Sequence, residues 1–578
     1  MSIEPSAAGA RRWPFVATTF AVPGSRTTLV ACLLVALVTV ASWLPRLSGS
    51  IDLRWDGGAY YIVGTSLAEG KGYRLQSEPG NFPSSVHAPF LPAFVAVHQR
   101  VLQTSDPAVV GPALRFTTLS FSVAYAVAIF LLLKTYIAWP WALAAPILGV
   151  FQPQYAYFSD ALYAETFFGL FTVLFFILQR NRASLVSFLM AGLFAALAYE
   201  ARTAGIALLV AWIADTLWRR EFKRLPMVIV IAAIPVVTWM GWIRAAESSP
   251  EYRNPAYAYQ TAPYLYFNVS YAKNIFTLKD PSNPHLGPLN RDALVGRVMT
   301  NLRELPFRVG EAVSSWAAPR ELSLFLALLV FFGLIVQVAR KQFLIVAYLI
   351  LSMAAMALTP FNKQFIRYLL PLYPFLALAM FQCLTVAARE AGRRFPAIPP
   401  MLGQAAIGLV VAAAALVEWR DLRGLYEQHD RVYEQRDPSG DDRLFYYAPI
   451  GTEFDEALVW LQRRGRTSDV VAATDPQRAY LRTGMKAVLP PFEMDGTKAQ
   501  RLIDTVPVRY LIAETAPQTL GLGAYHRYTS ALLRDNPGRW TPIWKSSNGN
   551  VAIYERGPPC ARSGAGGHPR AATGSCSF

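Results

Sequence analysis

Three short stretches gather the side chains that could do chemistry. The first holds Asp52, Asp56, Tyr60 and His87, the second Asp160 and Glu165, and the third Lys363, Arg367 and Tyr368. Arg202, two residues after Glu200, is a further cation. A fixed carboxylate can take a proton from a hydroxyl, and a guanidinium can grip a phosphate with two parallel hydrogen bonds. Each type also has a plainer use. An Asp ahead of an amphipathic stretch caps a helix, and acids in a first turn answer the helix dipole. An Arg near a membrane anchors among the headgroups, and Glu200 with Arg202 would pair across a short turn. His87 reads more often as an ordinary loop residue than as a ligand.

The elements that must hold these groups follow from composition. Of 578 residues, 16% are charged and 53% apolar, where a soluble protein carries about a quarter charged. That excludes a disordered chain or a disulfide scaffold and argues against a soluble enzyme. The mean hydropathy of +0.28 is modest for a membrane protein, so a soluble portion must dilute the apolar part. Four cysteines, Cys32, Cys383, Cys560 and Cys576, are too few and scattered for a metal framework. The net charge of +16 reads as basic cytoplasmic loops, with no nucleic-acid partner.

Runs near 20 apolar residues are needed to cross the bilayer as helix. Eleven are present, at about 28–46, 111–133, 139–157, 162–179, 184–199, 203–218, 226–243, 321–338, 342–358, 368–388 and 402–419. Arg11, Arg12 and Arg26 precede the first as they would a signal peptide, but no small-residue cleavage site follows it. With the N-terminus inside, the short inner loops collect Lys134, Arg180, Arg182, Arg219, Arg220, Lys223, Arg224, Arg340, Lys341, Arg389, Arg393 and Arg394. The expected fold is mainly α, a polytopic bundle with a C-terminal extracytoplasmic α/β domain. Its parts are a cytoplasmic segment 1–27, a membrane domain 28–419 with outer loops 47–110 and 244–320, the α/β domain 420–557 and a disordered tail 558–578. In the α/β domain, helix-like EFDEALVWLQRRG and DPQRAYLRT alternate with strand-like DVVAAT, VRYLIAE, TPIWKS and NVAIYER. The first outer loop suggests two helices along the membrane surface, one with Tyr60, Val63 and Leu67 on one stripe.

The motifs in this setting carry a family resemblance. Asp56, Tyr60, Tyr61, Leu67, Gly70, Gly72 and Tyr73 match the first outer loop of the GT-C glycosyltransferases. In particular, the chain is similar to bacterial relatives of the dolichyl-phosphate-mannose protein mannosyltransferases and to the lipid A aminoarabinose transferases. The family's Pro-Pro-Leu-Tyr-Pro stands here as Ala88-Pro89-Phe90-Leu91-Pro92, a departure. Ser159-Asp160-Ala161-Leu162-Tyr163-Ala164-Glu165 resembles its second acidic motif, and Arg367-Tyr368-Leu369-Leu370-Pro371-Leu372-Tyr373-Pro374 its Arg-Tyr-x-x-Pro-x-x-Pro segment. All three motifs fall on the expected outer face.

The resemblance implies an enzyme of the cell inner or plasma membrane. It would transfer a sugar from a polyprenyl-phosphate donor to an outer glycan, lipid or protein acceptor, with inversion. Asp56 would be the base, Asp160 and Glu165 further catalytic acids, and Arg367, Tyr368, His87, Tyr60, Lys363 and Arg202 substrate contacts. No cofactor is implied with certainty; a divalent metal is compatible. The rival readings are a secondary transporter and a non-catalytic receptor or scaffold. A transporter would need ionisable groups near the midplane and related halves, whereas the acids and arginines here cluster at outer ends. The α/β domain has no phosphate loop, nucleophile elbow or metal signature, so acceptor binding or stability is expected of it. Arg and Ala abundance suggests a GC-rich bacterial genome, hence an undecaprenyl or decaprenyl donor lipid.

Overall fold

A computed structural model describes residues 24–47, 51–315, 317–395, 400–434, 449–514 and 525–557. The expected disordered tail, with Cys560 and Cys576, lies outside the described residues, as does most of the segment 1–27. Helices stand at all eleven expected positions. Among the described residues, five are long and apolar enough to cross a membrane: Ser25–Arg46, Pro107–Leu133, Leu225–Ser248, Arg320–Ala339 and Asn362–Arg394. Shorter apolar helices fill the bundle between them, among them Glu165–Leu178, Leu185–Ala201 and Phe343–Leu358. The chain is a multi-pass membrane protein. Large apolar side chains such as Leu37, Val230 and Phe331 stay exposed on the long helices, as lipid-facing surfaces require. Inside, small residues let backbones touch. A Cβ on Gly333 would lie 2.0 Å from the Ala379 carbonyl oxygen, so glycine there lets Arg320–Ala339 seat against Asn362–Arg394.

Proline and extended residues break two of the apolar runs. The expected span 139–157 stops at Gln152, whose backbone is extended ahead of Pro153, and a separate helix Pro153–Asp160 follows. The run at 368–388 is likewise interrupted. A helix Phe365–Leu369 gives way to a 3₁₀ turn at Leu370–Leu372 before Tyr373–Arg394 resumes, because Pro371 and Pro374 cannot donate ladder hydrogen bonds.

The first outer loop forms two helices, Asp56–Ala68 and Phe90–Leu102. The first is buried on nearly every side from Gly57 to Gly64, rather than along one stripe, because it packs on the second and also meets a helix of the C-terminal domain. That domain contains a five-stranded sheet: β1 Val470–Ala472, β2 Lys486–Val488, β3 Val508–Glu514, β4 Trp540–Lys545 and β5 Val551–Arg556. The order is β2-β1-β3-β5-β4, parallel across the first three strands and antiparallel across the last three. The four expected strands are present; β2, only three residues long, is an addition.

The domain docks through backbone and aromatic contacts. Ala487 N–H donates to the Ser77 carbonyl at 2.8 Å, and the Tyr259 and Tyr528 hydroxyls donate to the carbonyls of Leu489 and Ser282 at 3.0 and 2.8 Å. Phe492 stacks between Tyr264 and Tyr528. Beneath this seam Glu78 is buried and accepts from the Tyr257 hydroxyl at 2.5 Å and from Gln260 Nε2 at 3.3 Å. Burial pushes the Glu78 carboxyl up to about 7, against those hydrogen bonds and the pull of Lys486.

Candidate active site

Asp56 is the first residue of its helix, and the residue before it, Trp55, has a positive φ of 58°. The Asp56 carboxylate does not cap the helix. It turns to Arg367, with Oδ2 at 2.7 Å from Nη2. Arg367 Nε donates to Glu165 Oε1, and its guanidinium lies 4.1 Å from the centre of the Tyr163 ring. Glu165, also the first residue of a helix, accepts at the same oxygen from Arg202 Nη1. Arg202 in turn lies 5.1 Å from the centre of the Tyr368 ring. The three motifs, far apart in the chain, thus meet in one cluster of two acids and two guanidiniums.

His87 and Tyr60 form the adjoining wall, with ring centres 4.6 Å apart. The Tyr73 hydroxyl donates to the His87 carbonyl at 2.7 Å, which pins the loop. Burial pushes the His87 imidazole down and outweighs Asp56, with Arg367 and Arg202 adding to the depression, so the ring is neutral near pH 7. For Asp56, burial acts upward, but the Arg367 guanidinium, with Arg202, holds the carboxyl below its ordinary range. Two polar atoms at the cluster, Glu165 Oε2 and His87 Nε2, are buried without a hydrogen-bond partner among the described residues. Spare capacity of that kind is costly in a finished core and is the expected state of groups awaiting a ligand.

Not every expected residue joins. Lys363 sits on the 3₁₀ turn Asn362–Gln364, exposed and outside the ion pairs of the cluster. Asp160 ends the helix Pro153–Asp160 and pairs at 3.0 Å with Arg115, which is buried in the helix Pro107–Leu133. Asp52 pairs at 2.5 Å with Arg54. The residues missed by sequence reasoning are Tyr163 and Arg115. Tyr163 lay inside the second motif. Arg115 carried the one available signal, a lone charge within an apolar run.

Comparison with solved structures identifies the architecture. The Archaeoglobus fulgidus oligosaccharyltransferase tethered with an acceptor peptide is similar over 92% of this chain and 74% of its own, at 13% identity and a TM-score of 0.51. ArnT from Cupriavidus metallidurans bound to undecaprenyl phosphate is similar over 93% of this chain and all of its own, at 12% identity and a TM-score of 0.51. The fold is that of the GT-C glycosyltransferases. No family profile matches the sequence, and no curated protein matches it. Both clustered acids already face guanidiniums, and no three His, Cys, Asp or Glu side chains converge among the described residues.

Proposed function

We propose that the chain is a polyprenyl-phosphate-dependent glycosyltransferase. It would pass one sugar to a hydroxyl of an extracytoplasmic glycan, lipid or protein. The observation that carries this reading is Arg367 held between Asp56 and Glu165, each the first residue of its helix. The two named neighbours of this fold support it: one is described with an acceptor peptide, the other with undecaprenyl phosphate.

The chemistry follows from the groups. The donor is a sugar joined through its anomeric carbon to a lipid phosphate. Asp56 takes the acceptor's proton as that oxygen bonds to the anomeric carbon. The anomeric carbon–phosphate oxygen bond breaks, and its electron pair leaves with the lipid phosphate. One displacement inverts the centre. Arg367 and Arg202 hold the charge gathering on the departing phosphate, a role suited to preorganised cations away from bulk water. Glu165 orients both guanidiniums. While Arg367 sits on Asp56 the acid is a weak base; a phosphate drawing Arg367 toward itself would raise its basicity. Tyr60, His87 and Tyr368 line the sugar side, and Asp160 with Arg115 props the helices behind.

The proposed topology has eleven crossings, the N-terminus inside and the α/β domain outside, which places the cluster at the outer boundary. A reporter fused at residue 222 should read inside and one fused at residue 557 outside; the same side for both would refute this orientation. The function is tested by deleting the gene in its host and analysing envelope glycans and lipid-linked sugars. A missing sugar with accumulation of its polyprenyl-phosphate donor is expected. Unchanged glycans and donor pools would refute the proposal.

A further inference from the structure

The outer domain reaches the base. Its helix Pro476–Thr483 rests on the first turn of Asp56–Ala68, so closely that a Cβ on Gly58 would lie 2.9 Å from Gln477 Cβ. At the start of that helix, buried Asp475 uses its two oxygens differently. Oδ1 accepts from the Arg478 N–H at 3.2 Å and caps its own helix. Oδ2 accepts from the Trp55 N–H at 3.3 Å, across 420 residues. Trp55 is the residue whose backbone is in the positive-φ region that side chains rarely adopt, at a cost of about 1–3 kcal/mol. Its conformation decides where the next residue, Asp56, points.

We propose that Asp475 is a positioning residue for Asp56, clamping Trp55 in its strained backbone so that the base faces Arg367 only while the outer domain is docked. This rests on the reading of Asp56 as the base. Asp475 does not touch the reacting atoms. The α/β domain, on this account, completes the membrane site instead of serving only as an appendage for acceptors.

The test uses the full-length protein with Asp475→Ala, Trp55→Gly and the double variant. Three readouts are taken: amide hydrogen exchange over residues 52–60, restoration of the envelope glycan in a deletion strain, and binding of undecaprenyl phosphate to the purified protein. Asp475→Ala is expected to speed exchange at Trp55 and Asp56 and to lower transfer roughly 10–100-fold, the scale of a misplaced reacting group. Binding of undecaprenyl phosphate should persist, because Arg367 and Arg202 remain. Glycine adopts positive φ without steric cost, so Trp55→Gly should recover part of the loss in the double variant. A clamp predicts that recovery, whereas simple helix capping does not. Should Asp475→Ala fail to fold, Asp475→Asn keeps the size and one acceptor oxygen and should show a smaller loss in the same direction. Unchanged exchange over 52–60, or a loss that Trp55→Gly leaves untouched, overturns the proposal. Exchange reports on the clamp and transfer on the base, so failure of one is distinguishable from failure of the other.

Discussion

Two sets of buried acids lie at the same end of this bundle, and they are built differently. Asp52 and Asp160 each face a dedicated arginine, Arg54 and Arg115, and are almost wholly enclosed. Asp56 and Glu165 share Arg367, Glu165 takes Arg202 as well, and the Asp56 side chain stays 23% exposed. The closed pairs lock the segment before Asp56 and the helix before Glu165. The shared cluster keeps an unpartnered carboxylate oxygen on Glu165 and an unpartnered ring nitrogen on His87 among the described residues. Matched charge with no opening serves architecture; shared charge with an opening serves a ligand.

The sharpest way to break this distinction is to neutralise one acid of each kind. Asp56→Asn should leave melting nearly unchanged and reduce transfer roughly 10²–10⁴-fold, the usual contribution of a positioned base. Normal transfer by that variant would end the mechanism. Asp160→Asn should do the opposite. It strands Arg115 in the bundle and should destabilise by about 3–5 kcal/mol, while the folded fraction keeps its turnover per molecule. Asp52→Asn belongs with Asp160 in this respect, and equal loss of transfer from Asp52→Asn and Asp56→Asn would erase the contrast.

Glu78 sharpens the comparison as an acid buried with hydroxyl and amide donors instead of a guanidinium. Its folded value near 7 lies above its ordinary 4.5. The folded protein therefore binds this proton more tightly than the unfolded chain. That stability is complete below about 4.5 and is lost as pH rises through 7. The whole loss, nearly complete at pH 8, should be about 3 kcal/mol, of which about 1 kcal/mol falls between pH 6 and 8. Thermal melts of wild type at pH 6 and 8 should differ, and Glu78→Gln should remove most of the difference; an equal pH response in both proteins would place the titration elsewhere. The smallest effect is expected for Arg367→Lys. It keeps the charge but loses the planar fork, so lipid-phosphate binding should weaken about 10–100-fold, the worth of one or two charge-assisted hydrogen bonds. Unchanged affinity for undecaprenyl phosphate would reduce Arg367 to a structural link.

Most of the bundle was legible because an apolar run of membrane length has little use in a chain except as a helix in the bilayer. The cluster was legible because its charges sit where such runs begin, at Glu165, Arg202 and Arg367. What failed to show had tertiary causes. Lys363 and Arg367 are four apart and would share a helix face, but residues 362–364 form a 3₁₀ turn that breaks the phase, and Lys363 stays exposed. Asp160 matched a motif, yet its partner Arg115 lies 45 residues upstream, and no local pattern announces that pairing. β2 is too short for periodicity, and the helices Gly496–Ile503 and Tyr525–Asp535 lie in stretches that gave no expectation. The Asp-Pro at 475–476 marked a helix start correctly, but nothing nearby pointed to Trp55.

The interruption at Leu370–Leu372 gives Arg367 a mechanical property, as the 3₁₀ turn Thr203–Gly205 does Arg202. A 3₁₀ segment rises about 2.0 Å and turns about 120° per residue, against about 1.5 Å and 100° in an α-helix. Rewinding those three residues into α would draw Arg367 along the axis by about 1.5 Å and swing it by about 60°. Such a change is large compared with the tolerance of a hydrogen bond and small compared with the span that carries it. Rewinding of that kind would carry the guanidinium from a carboxylate toward a phosphate while the helix Tyr373–Arg394 stays in place.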